Sequence, residues 1–382
     1  MKDNKAYTYP WRHNNTFQVL IDGAGYFPAM LDEIRKAKFK ILFEDYLFES
    51  GNTSDDFIKE LSAAKNRGAD VFVLLDEYGT KGLADEDKEK LTTAGVELLL
   101  YNPANFFHFG KSLKRDHRKL LSIDDHIAFI GGAGITDEFN STITLNFWHD
   151  VMLRVQGNIV SDLSHSFNEI WTQQNSSLKI QNTKTENISS HVKSKSRVLI
   201  SAGTEKNEII RSIITHIRSS KNTVWLTSPY FISSWKIRRA LRYAAKKGVD
   251  VRLIFPGPHS DHKWITYGIQ RYYQRLLKAN VAIYEYQPRF NHAKIILCDD
   301  WFTIGSSNLD RWNQFLNLDV NLEIYDIHSH QQIVDLFESD FSKSRLIILN
   351  QWSTRSLIQH IKEWFSGIVI SALGFISRKF KR

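Results

Sequence analysis

Cysteine is almost absent from this chain, since Cys298 stands alone among 382 residues. One cysteine excludes an internal disulfide and a zinc site built on a cysteine pair, so the fold does not depend on an oxidising compartment. Long apolar runs are also missing. The longest, residues 364–376, is about two-thirds of the ~20 residues that cross a bilayer. The polar first residues lack the apolar core of a signal peptide. We therefore expect a body that is soluble or peripheral to a membrane.

The composition is that of a globular protein. Hydrophobic residues make up 42% and charged residues 24% of the chain, which excludes a disordered protein. The length allows two ordinary domains or one large pseudo-symmetric unit. A net charge of +8 and a pI near 9.2 suit an anionic partner such as nucleic acid or an acidic lipid surface. The same charge also serves solubility, so charge alone selects no function.

One short pattern occurs twice. Residues 117–124 (HRKLLSID) and 292–299 (HAKIILCD) both read HxKxxxxD. Each copy leads into an apolar run and then a small-residue turn, Gly131-Gly132 in the first copy and Gly305-Ser306-Ser307-Asn308 in the second. A single copy would be read as an ordinary surface strand. Two copies with matching flanks indicate a duplicated site.

The flanks repeat in the same order. The matching pairs are residues 40–48 with 224–232, 63–71 with 244–251, and 94–103 with 279–288. Gly68 and Gly248 each suit the end of a helix, and an apolar strand follows each of them. Both halves therefore read strand, helix, strand, helix, strand and motif hairpin. This alternation predicts an α/β fold of two pseudo-symmetric halves, each a mixed β-sheet flanked by helices.

The chain is predicted to contain four parts. Residues 1–173 form the half with the first motif, and 174–195, rich in Ser, Asn, Thr and Lys, form a linker. Residues 196–350 form the half with the second motif. Residues 351–382 form an amphipathic tail that ends in a basic cluster, residues 378–382. A short apolar helix with an aromatic entry and a basic end fits the interface of an anionic membrane, and a helix packed on the core is the alternative.

The motif predicts a hairpin with the histidine and lysine on one face. Residues at i and i+2 of a strand point the same way, and Asp-Asp is a good turn pair. The return strand brings Gly132, or Ser306 and Asn308, back beside the histidine. There the backbone can approach a phosphate, and Ser306 and Asn308 can donate hydrogen bonds to it.

The same geometry separates the motif aspartates from the histidines. Seven strand residues put Asp124 and Asp299 on the order of 20 Å from their histidines, which favours a structural role in the turn. A histidine still needs a partner that fixes its tautomer. Asp150 and Asp319, which follow the return strands, are the better candidates for that partner.

The duplicated motif resembles the signature of the phospholipase D superfamily. The resemblance implies an active site between the halves and a covalent phosphohistidine formed without a metal or cofactor. It counts His117, Lys119, Asp124, His292, Lys294 and Asp299 as catalytic. His117 would be the nucleophile and His292 the acid and base, although the near-symmetry allows the reverse. The lysines would stabilise the charge on the phosphoryl oxygens. In this superfamily the position of Asp319 is usually glutamate.

Further segments resemble bacterial cardiolipin synthases over roughly residues 15–350. The similarity is closest to their short branch, the cardiolipin synthase B-like proteins without N-terminal transmembrane helices. The segments are 22–30 (DGAGYFPAM), 44–46 (EDY), 228–240 (SPYFISSWKIRRA), 256–262 (PGPHSDH), 272–277 (YYQRLL), 284–288 (YEYQP) and 305–310 (GSSNLD).

This second resemblance implies a phosphatidyltransferase that makes cardiolipin from two phosphatidylglycerols. It would be peripheral on the cytoplasmic side of a bacterial membrane, with an anionic phospholipid surface and no nucleic acid as partner. A phospholipase D or nuclease that uses water as acceptor, and a non-catalytic lipid-binding scaffold, are the alternatives. The acceptor alcohol and the oligomeric state stay open.

Overall fold

Two β-sheets, one for each half of the chain, organise the molecule. The structure is a computed structural model that describes residues 7–103, 113–175, 193–202, 207–310 and 316–379, with side chains as far as residue 369. The first sheet has seven strands and the second has ten. Helices accompany both sheets, so the predicted α/β class with two equivalent halves is confirmed.

The elements alternate along the chain as the sequence predicts. The first half contains β1 (Arg12–His13), β2 (Thr16–Ile21), α1 (Asp22–Lys36), β3 (Lys40–Asp45), α2 (Asn52–Asn66), β4 (Asp70–Asp76), α3 (Asp85–Thr93), β5 (Glu97–Tyr101), β6 (Arg115–Asp116), β7 (Leu120–Ile123), β8 (Ile127–Gly131), β9 (Val151–Gln156) and α4 (Ile159–Gln174), with a short 3-10 helix at Asp137–Phe139. Gly68 follows α2 with a φ of 101°, a left-handed conformation that glycine adopts without strain.

The second half repeats this order and adds helices at its end. It contains β10 (Lys195–Ala202), α5 (Glu208–Ser219), β11 (Thr223–Thr227), α6 (Trp235–Lys246), β12 (Asp250–Pro256), α7 (Lys263–Gln270), α8 (Tyr273–Leu277), β13 (Ala282–Tyr286), β14 (Ile295–Cys298), β15 (Trp301–Gly305), β16 (Asn317–Tyr325), α9 (Ile327–Ser342), β17 (Ser344–Leu346), α10 (Leu349–Ser353) and α11 (Leu357–Lys379). Within the described residues, no helix combines the length and the apolar character needed to cross a membrane.

The strand orders of the two sheets correspond one to one. The first sheet runs β2-β9-β8-β7-β3-β4-β5, and the second runs β10-β16-β15-β14-β11-β12-β13 between its edge strands β1 and β17. In both sheets the last three of these strands are parallel and the motif hairpin is antiparallel. This repeated topology is the structural form of the duplication seen in the sequence.

A shared hydrophobic core joins the halves. It takes Leu42 and Leu120 from the first sheet, Ile254 and Ile295 from the second, and side chains of α4 and α9. Successive residues of a strand face opposite sides, and along β3 the neighbours of Leu42 belong to a different core that serves the first half alone. The second half has a matching core of its own. Each sheet is therefore covered on both faces.

The first half also contributes strands to the second sheet. β1 pairs with β10, and β6 pairs in parallel with β16, so two short segments of the first half extend the second sheet. The predicted boundaries stay predictions, and most of the linker, residues 176–192, lies outside the described part of the chain. Residues 380–382, the end of the basic cluster, lie outside the described part of the chain as well.

Candidate active site

The two motif histidines lie where the halves meet, and backbone pairing holds them there. The His117 amide donates to the Leu318 carbonyl at 3.0 Å, which continues the pairing of β6 with β16. The His292 amide donates to the His149 carbonyl at 2.7 Å. β7 and β14 begin only at Leu120 and Ile295, so the prediction that the histidines and lysines lie within the hairpin strands is wrong. The reason is that the amides of the two histidines pair with the opposite half and not within the hairpin.

Each histidine contacts a carboxylate of the other half. His117 Nδ1 is 3.0 Å from Asp319 Oδ1, and His292 Nδ1 is 2.6 Å from Asp150 Oδ2. An ionised carboxylate only accepts hydrogen bonds, so the proton lies on Nδ1 in both imidazoles and Nε2 keeps its lone pair. The structure brings together the predicted partners in this crossed arrangement. Neither motif histidine takes its carboxylate partner from its own half.

The two motif lysines are buried beside their histidines. Lys119 Nζ donates to the His117 carbonyl at 2.8 Å, and Lys294 Nζ donates to the His292 carbonyl at 2.6 Å. Lys294 Nζ is also 3.7 Å from Asp150 Oδ2. Burial lowers the pKa of both ammonium groups, and it brings that of Lys294 to about 8, with Lys119 adding to the effect. Two cations thus lie beside the two imidazoles, and cations in such a position can stabilise the negative charge of a phosphodiester.

Burial and the nearby lysines keep both histidines neutral. The pKa of His117 falls to about 4, mainly through burial and then through Lys119. The pKa of His292 falls to about 3, through burial and then through Lys294. Asp150 behaves in the opposite way. Burial raises the pKa of its carboxyl, but Lys294 and His292 outweigh this and the pKa is lowered. A neutral imidazole whose Nε2 keeps its lone pair is the form that can attack phosphorus. In His292 the Nζ atom of Lys294 lies 3.3 Å from Nε2.

Small residues make room for the crossed pairs. A Cβ atom at Gly132 would lie 2.6 Å from Asp150 Oδ2 and 2.8 Å from Lys294 Nζ, closer than real Cβ contacts allow. At the equivalent position Ser306 donates from Oγ to Asp319 Oδ1 at 2.8 Å. Ser306 therefore supports the carboxylate that holds His117. Asn308 is buried, and its Oδ1 has no hydrogen-bond partner within the described residues. Its predicted phosphate contact stays a prediction.

The motif aspartates lie in the hairpin turns, away from the histidines. Asp124 accepts hydrogen bonds from the amides of residues 38, 39 and 40 at 2.7 to 2.9 Å. Asp299 accepts from the amides of residues 221, 222 and 223 at 2.8 to 2.9 Å. Both have left-handed backbones, with φ of 54° and 50°. This location agrees with the structural role inferred from strand length and departs from the catalytic role that the family signature implies.

Aromatic rings that the sequence did not single out as site residues surround the imidazoles. The Tyr46 ring is 4.9 Å from that of His117 and 5.0 Å from Lys119 Nζ. The rings of Trp148 and Phe139 are both 5.3 Å from the His292 ring, and Phe290 is 5.6 Å away. These rings pack against the imidazoles and exclude water from them. In the sequence, only their position near the motif, near Asp150 or near a strand end could have indicated them.

His149 is a buried histidine to which the sequence assigned no role. Its Nδ1 is 2.7 Å from Asp22 Oδ1 and its Nε2 is 3.2 Å from Asp340 Oδ2. Burial opposes the charge, but these two carboxylates outweigh it and raise the pKa of His149 to about 10. The resulting imidazolium links α1 of the first half to α9 of the second. The His149 carbonyl also accepts the hydrogen bond from the His292 amide, so His149 helps to hold His292 in position.

No group of three or more His, Cys, Asp or Glu side chains is arranged to hold a metal ion in the described ranges. The ammonium groups of Lys119 and Lys294 are buried beside the two motif histidines. This arrangement can bind a phosphodiester between two cations, present one imidazole to phosphorus and present the other to a leaving or entering oxygen.

Comparisons with known proteins agree on one family. Residues 30–171 and 213–341 match the family model described as cardiolipin synthase, PLD-like domain. The chain is 32% identical over 331 residues to cardiolipin synthase B of Shigella flexneri, covering 85% of this chain and 80% of that protein. It is 29% identical over 377 residues to a cardiolipin synthase of Clostridium perfringens strain 13, covering 96% and 78%.

A solved structure shares the fold over nearly the full length. The crystal structure of phosphatidylserine synthase from Haemophilus influenzae superposes with a TM-score of 0.72 at 15% identity, covering 97% of this chain and 98% of that one. At such low identity the likeness shows the fold alone.

Proposed function

The chain belongs to the cardiolipin synthase family of phospholipase D-like proteins, and we propose that it joins two phosphatidylglycerols into cardiolipin with release of glycerol. Family membership makes it a phosphatidyltransferase. The crossed histidine–carboxylate pairs carry the finer proposal, because two oriented neutral imidazoles beside two ammonium groups suit transfer through a covalent phosphohistidine.

The first step forms the covalent intermediate. Nε2 of His117 attacks the phosphorus of one phosphatidylglycerol, and the bond from phosphorus to the glycerol oxygen breaks. The glycerol oxygen takes a proton from His292. Although His292 is neutral at rest, the bound phosphodiester adds negative charge that raises the pKa of its imidazole, so that Nε2 first takes up a proton from solvent and then gives this proton to the glycerol oxygen. Lys119 and Lys294 stabilise the charge on the phosphoryl oxygens.

The second step reverses the first with a new alcohol. A hydroxyl of the second phosphatidylglycerol gives its proton to His292 and attacks phosphorus, and the bond from phosphorus to His117 Nε2 breaks. Asp319 and Asp150 keep the two imidazoles in the required tautomer throughout. Water in place of the second lipid would give a phospholipase D, so the acceptor distinguishes this function from its main alternative.

The orientation of α11 supports a membrane surface as partner. Its polar side faces the protein, since Glu363 pairs with Arg355 at 2.9 Å and Gln359 donates to Gln270 at 2.7 Å. Its apolar side faces outward, with Leu357 80%, Trp364 64% and Phe365 62% exposed. A helix with this arrangement and a basic end fits the interface of an anionic bilayer. We therefore assign α11 to docking on the cytoplasmic face of a bacterial membrane.

Incubation of the purified protein with isotope-labelled phosphatidylglycerol vesicles tests the reaction. Mass spectrometry of the products should find cardiolipin and free glycerol in equal amounts. His117→Ala and His292→Ala should each abolish both products, whereas His328→Ala, at an exposed position, should leave them unchanged. Phosphatidic acid as the main product would support the hydrolytic alternative. The absence of any lipid product from the wild-type protein would contradict both.

Vesicle binding tests the role of α11. Phe365→Ser should weaken sedimentation with anionic vesicles, and Phe39→Ser is the matched control because both phenylalanines are 62% exposed. Deletion after Ser356 should weaken binding further and remove much of its salt dependence, since salt screens each basic residue within a Debye length of ~8 Å. Equal binding by the two serine variants and the truncated protein would assign α11 to the core-packing alternative.

A further inference from the structure

A cavity of about 360 Å³ adjoins the second histidine. Its lining includes Trp148, Phe290, Asn146, Asp261, Lys263 and Arg289. Trp148 and Phe290 are the same rings that pack at 5.3 and 5.6 Å from the ring of His292. One layer of aromatic side chains therefore separates the cavity from the imidazole to which the proposed function assigns the entering and leaving alcohols.

Two cations line this cavity outside the duplicated motif. Lys263 is exposed at the start of α7. Arg289 stacks on the Phe147 ring at 3.9 Å and is held only loosely by Asp22, at 3.8 Å. The carboxylate in the lining, Asp261, accepts a hydrogen bond from the hydroxyl of Tyr230. The lining thus presents two positive groups to an anion. Its carboxylate is already hydrogen-bonded to Tyr230.

One helix, α7, connects the cavity to the lipid-facing helix. α7 begins at Lys263 and runs for eight residues, roughly 12 Å. Its far end contacts α11, where Gln359 donates to Gln270 and Lys362 Nζ is 3.5 Å from the Tyr267 hydroxyl. The cavity is therefore coupled through α7 to the helix that the proposed function assigns to the membrane surface.

The chemistry of the product calls for a second phosphate site near His292. In cardiolipin only a three-carbon bridge separates the two phosphates, so the acceptor's own phosphate must lie close to the reacting one. The motif lysines are already assigned to the reacting phosphate. Building on the proposed function, we propose that the cavity holds the phosphate of the acceptor phospholipid, with Arg289 and Lys263 as its cations.

This site would determine the acceptor and not the chemistry itself. Water and glycerol carry no phosphate, so they gain nothing from Arg289 or Lys263. An anionic phospholipid gains charge-assisted hydrogen bonds from both. Loss of the two cations should therefore lower transfer from the covalent intermediate to a phospholipid relative to transfer to glycerol or water. Formation of the intermediate should continue.

The experiment compares two acceptors in one reaction mixture. The full-length protein is given phosphatidylglycerol vesicles and isotope-labelled glycerol. Labelled phosphatidylglycerol reports transfer to a neutral alcohol, and cardiolipin reports transfer to a phospholipid. The variants are Arg289→Gln with Lys263→Gln, and Lys263→Gln alone in case the double variant does not fold. The control pair, Lys38→Gln with Lys59→Gln, removes the same charge from two exposed positions of the first half.

The double variant should lose cardiolipin formation relative to glycerol exchange by roughly 10²- to 10⁴-fold, because each of the two lost charge-assisted hydrogen bonds contributes roughly tenfold to a hundredfold. Lys263→Gln alone should shift the ratio in the same direction by less, and the control pair should leave it unchanged. An unchanged ratio in the double variant, or a parallel loss of both products, would overturn the proposal. Glycerol exchange without any cardiolipin from the wild-type protein would instead contradict the proposed function, so the two failures are distinguishable.

Discussion

Replacement of Asp124 should cost stability and leave the chemistry intact. Its carboxylate accepts three backbone hydrogen bonds at the start of β3, and its own φ is 54°. Asp124→Ala removes all three acceptor contacts and places alanine in a left-handed conformation. Asp124→Asn keeps an amide oxygen where Oδ1 receives the amides of residues 39 and 40, and asparagine tolerates a positive φ.

These differences set the expected magnitudes. Water reaches this turn, so each lost hydrogen bond costs at the low end, roughly 0.5–1 kcal/mol. The left-handed conformation adds about 1 kcal/mol for alanine. Asp124→Ala should therefore lower the free energy of unfolding by about 3 kcal/mol, and Asp124→Asn by about 1 kcal/mol. Asp299, with the same three contacts and a φ of 50°, should give the same pair of values.

Urea unfolding followed by circular dichroism measures the stability, and cardiolipin formation by the folded fraction measures the chemistry. The Asp124→Asn protein should keep kcat within about threefold of the wild type, whereas His117→Ala should abolish turnover. A stable Asp124→Asn protein without turnover would refute the reasoning. It would mean that the aspartate acts on the site despite its location in the turn.

Three further outcomes follow from the site. Asp150→Asn and Asp319→Asn should each lower kcat by roughly 10²- to 10⁴-fold, by analogy with the orienting carboxylate of serine proteases, with vesicle binding unchanged in a sedimentation assay. Selective ¹⁵N labelling should find His117 and His292 neutral and His149 doubly protonated near neutral pH, because their pKa values are about 4, 3 and 10; a His149 that titrates near its ordinary pKa would contradict this. His149→Gln should lower the free energy of unfolding. A raised pKa stabilises the fold fully below the ordinary value of 6.5, so the deficit in urea unfolding should shrink as pH rises toward about 10.

The sequence was sufficient for the repeated fold because its signals are local. Strand and helix periodicity, the helix-ending Gly68 and Gly248, and the Asp-Asp turns all act within a few residues. The structural role of Asp124 and Asp299 followed from counting strand residues from the histidines. The role of each therefore needed no knowledge of tertiary contacts.

The crossed histidine–carboxylate pairs could not be predicted from such local signals. Asp319 and His117 are 202 residues apart, and they meet because β6 pairs with β16. A two-residue strand such as β6 has no periodicity that a sequence could reveal. The same pairing holds His117 outside strand β7, and the hydrogen bond from the His292 amide to the His149 carbonyl does the same for the second motif. His149 was missed for a related reason, since its partners come from α1 and α9, far away along the chain.

Trapping of the covalent intermediate tests the central claim most directly. The protein is mixed with labelled phosphatidylglycerol, quenched within a turnover, digested and examined by mass spectrometry under conditions that preserve phosphohistidine. The account predicts a phosphatidyl group on His117 that accumulates in the His292→Ala variant when a substrate with a better leaving group than glycerol is supplied. Continued turnover with no adduct on either histidine, or an adduct on His292 alone, would contradict it.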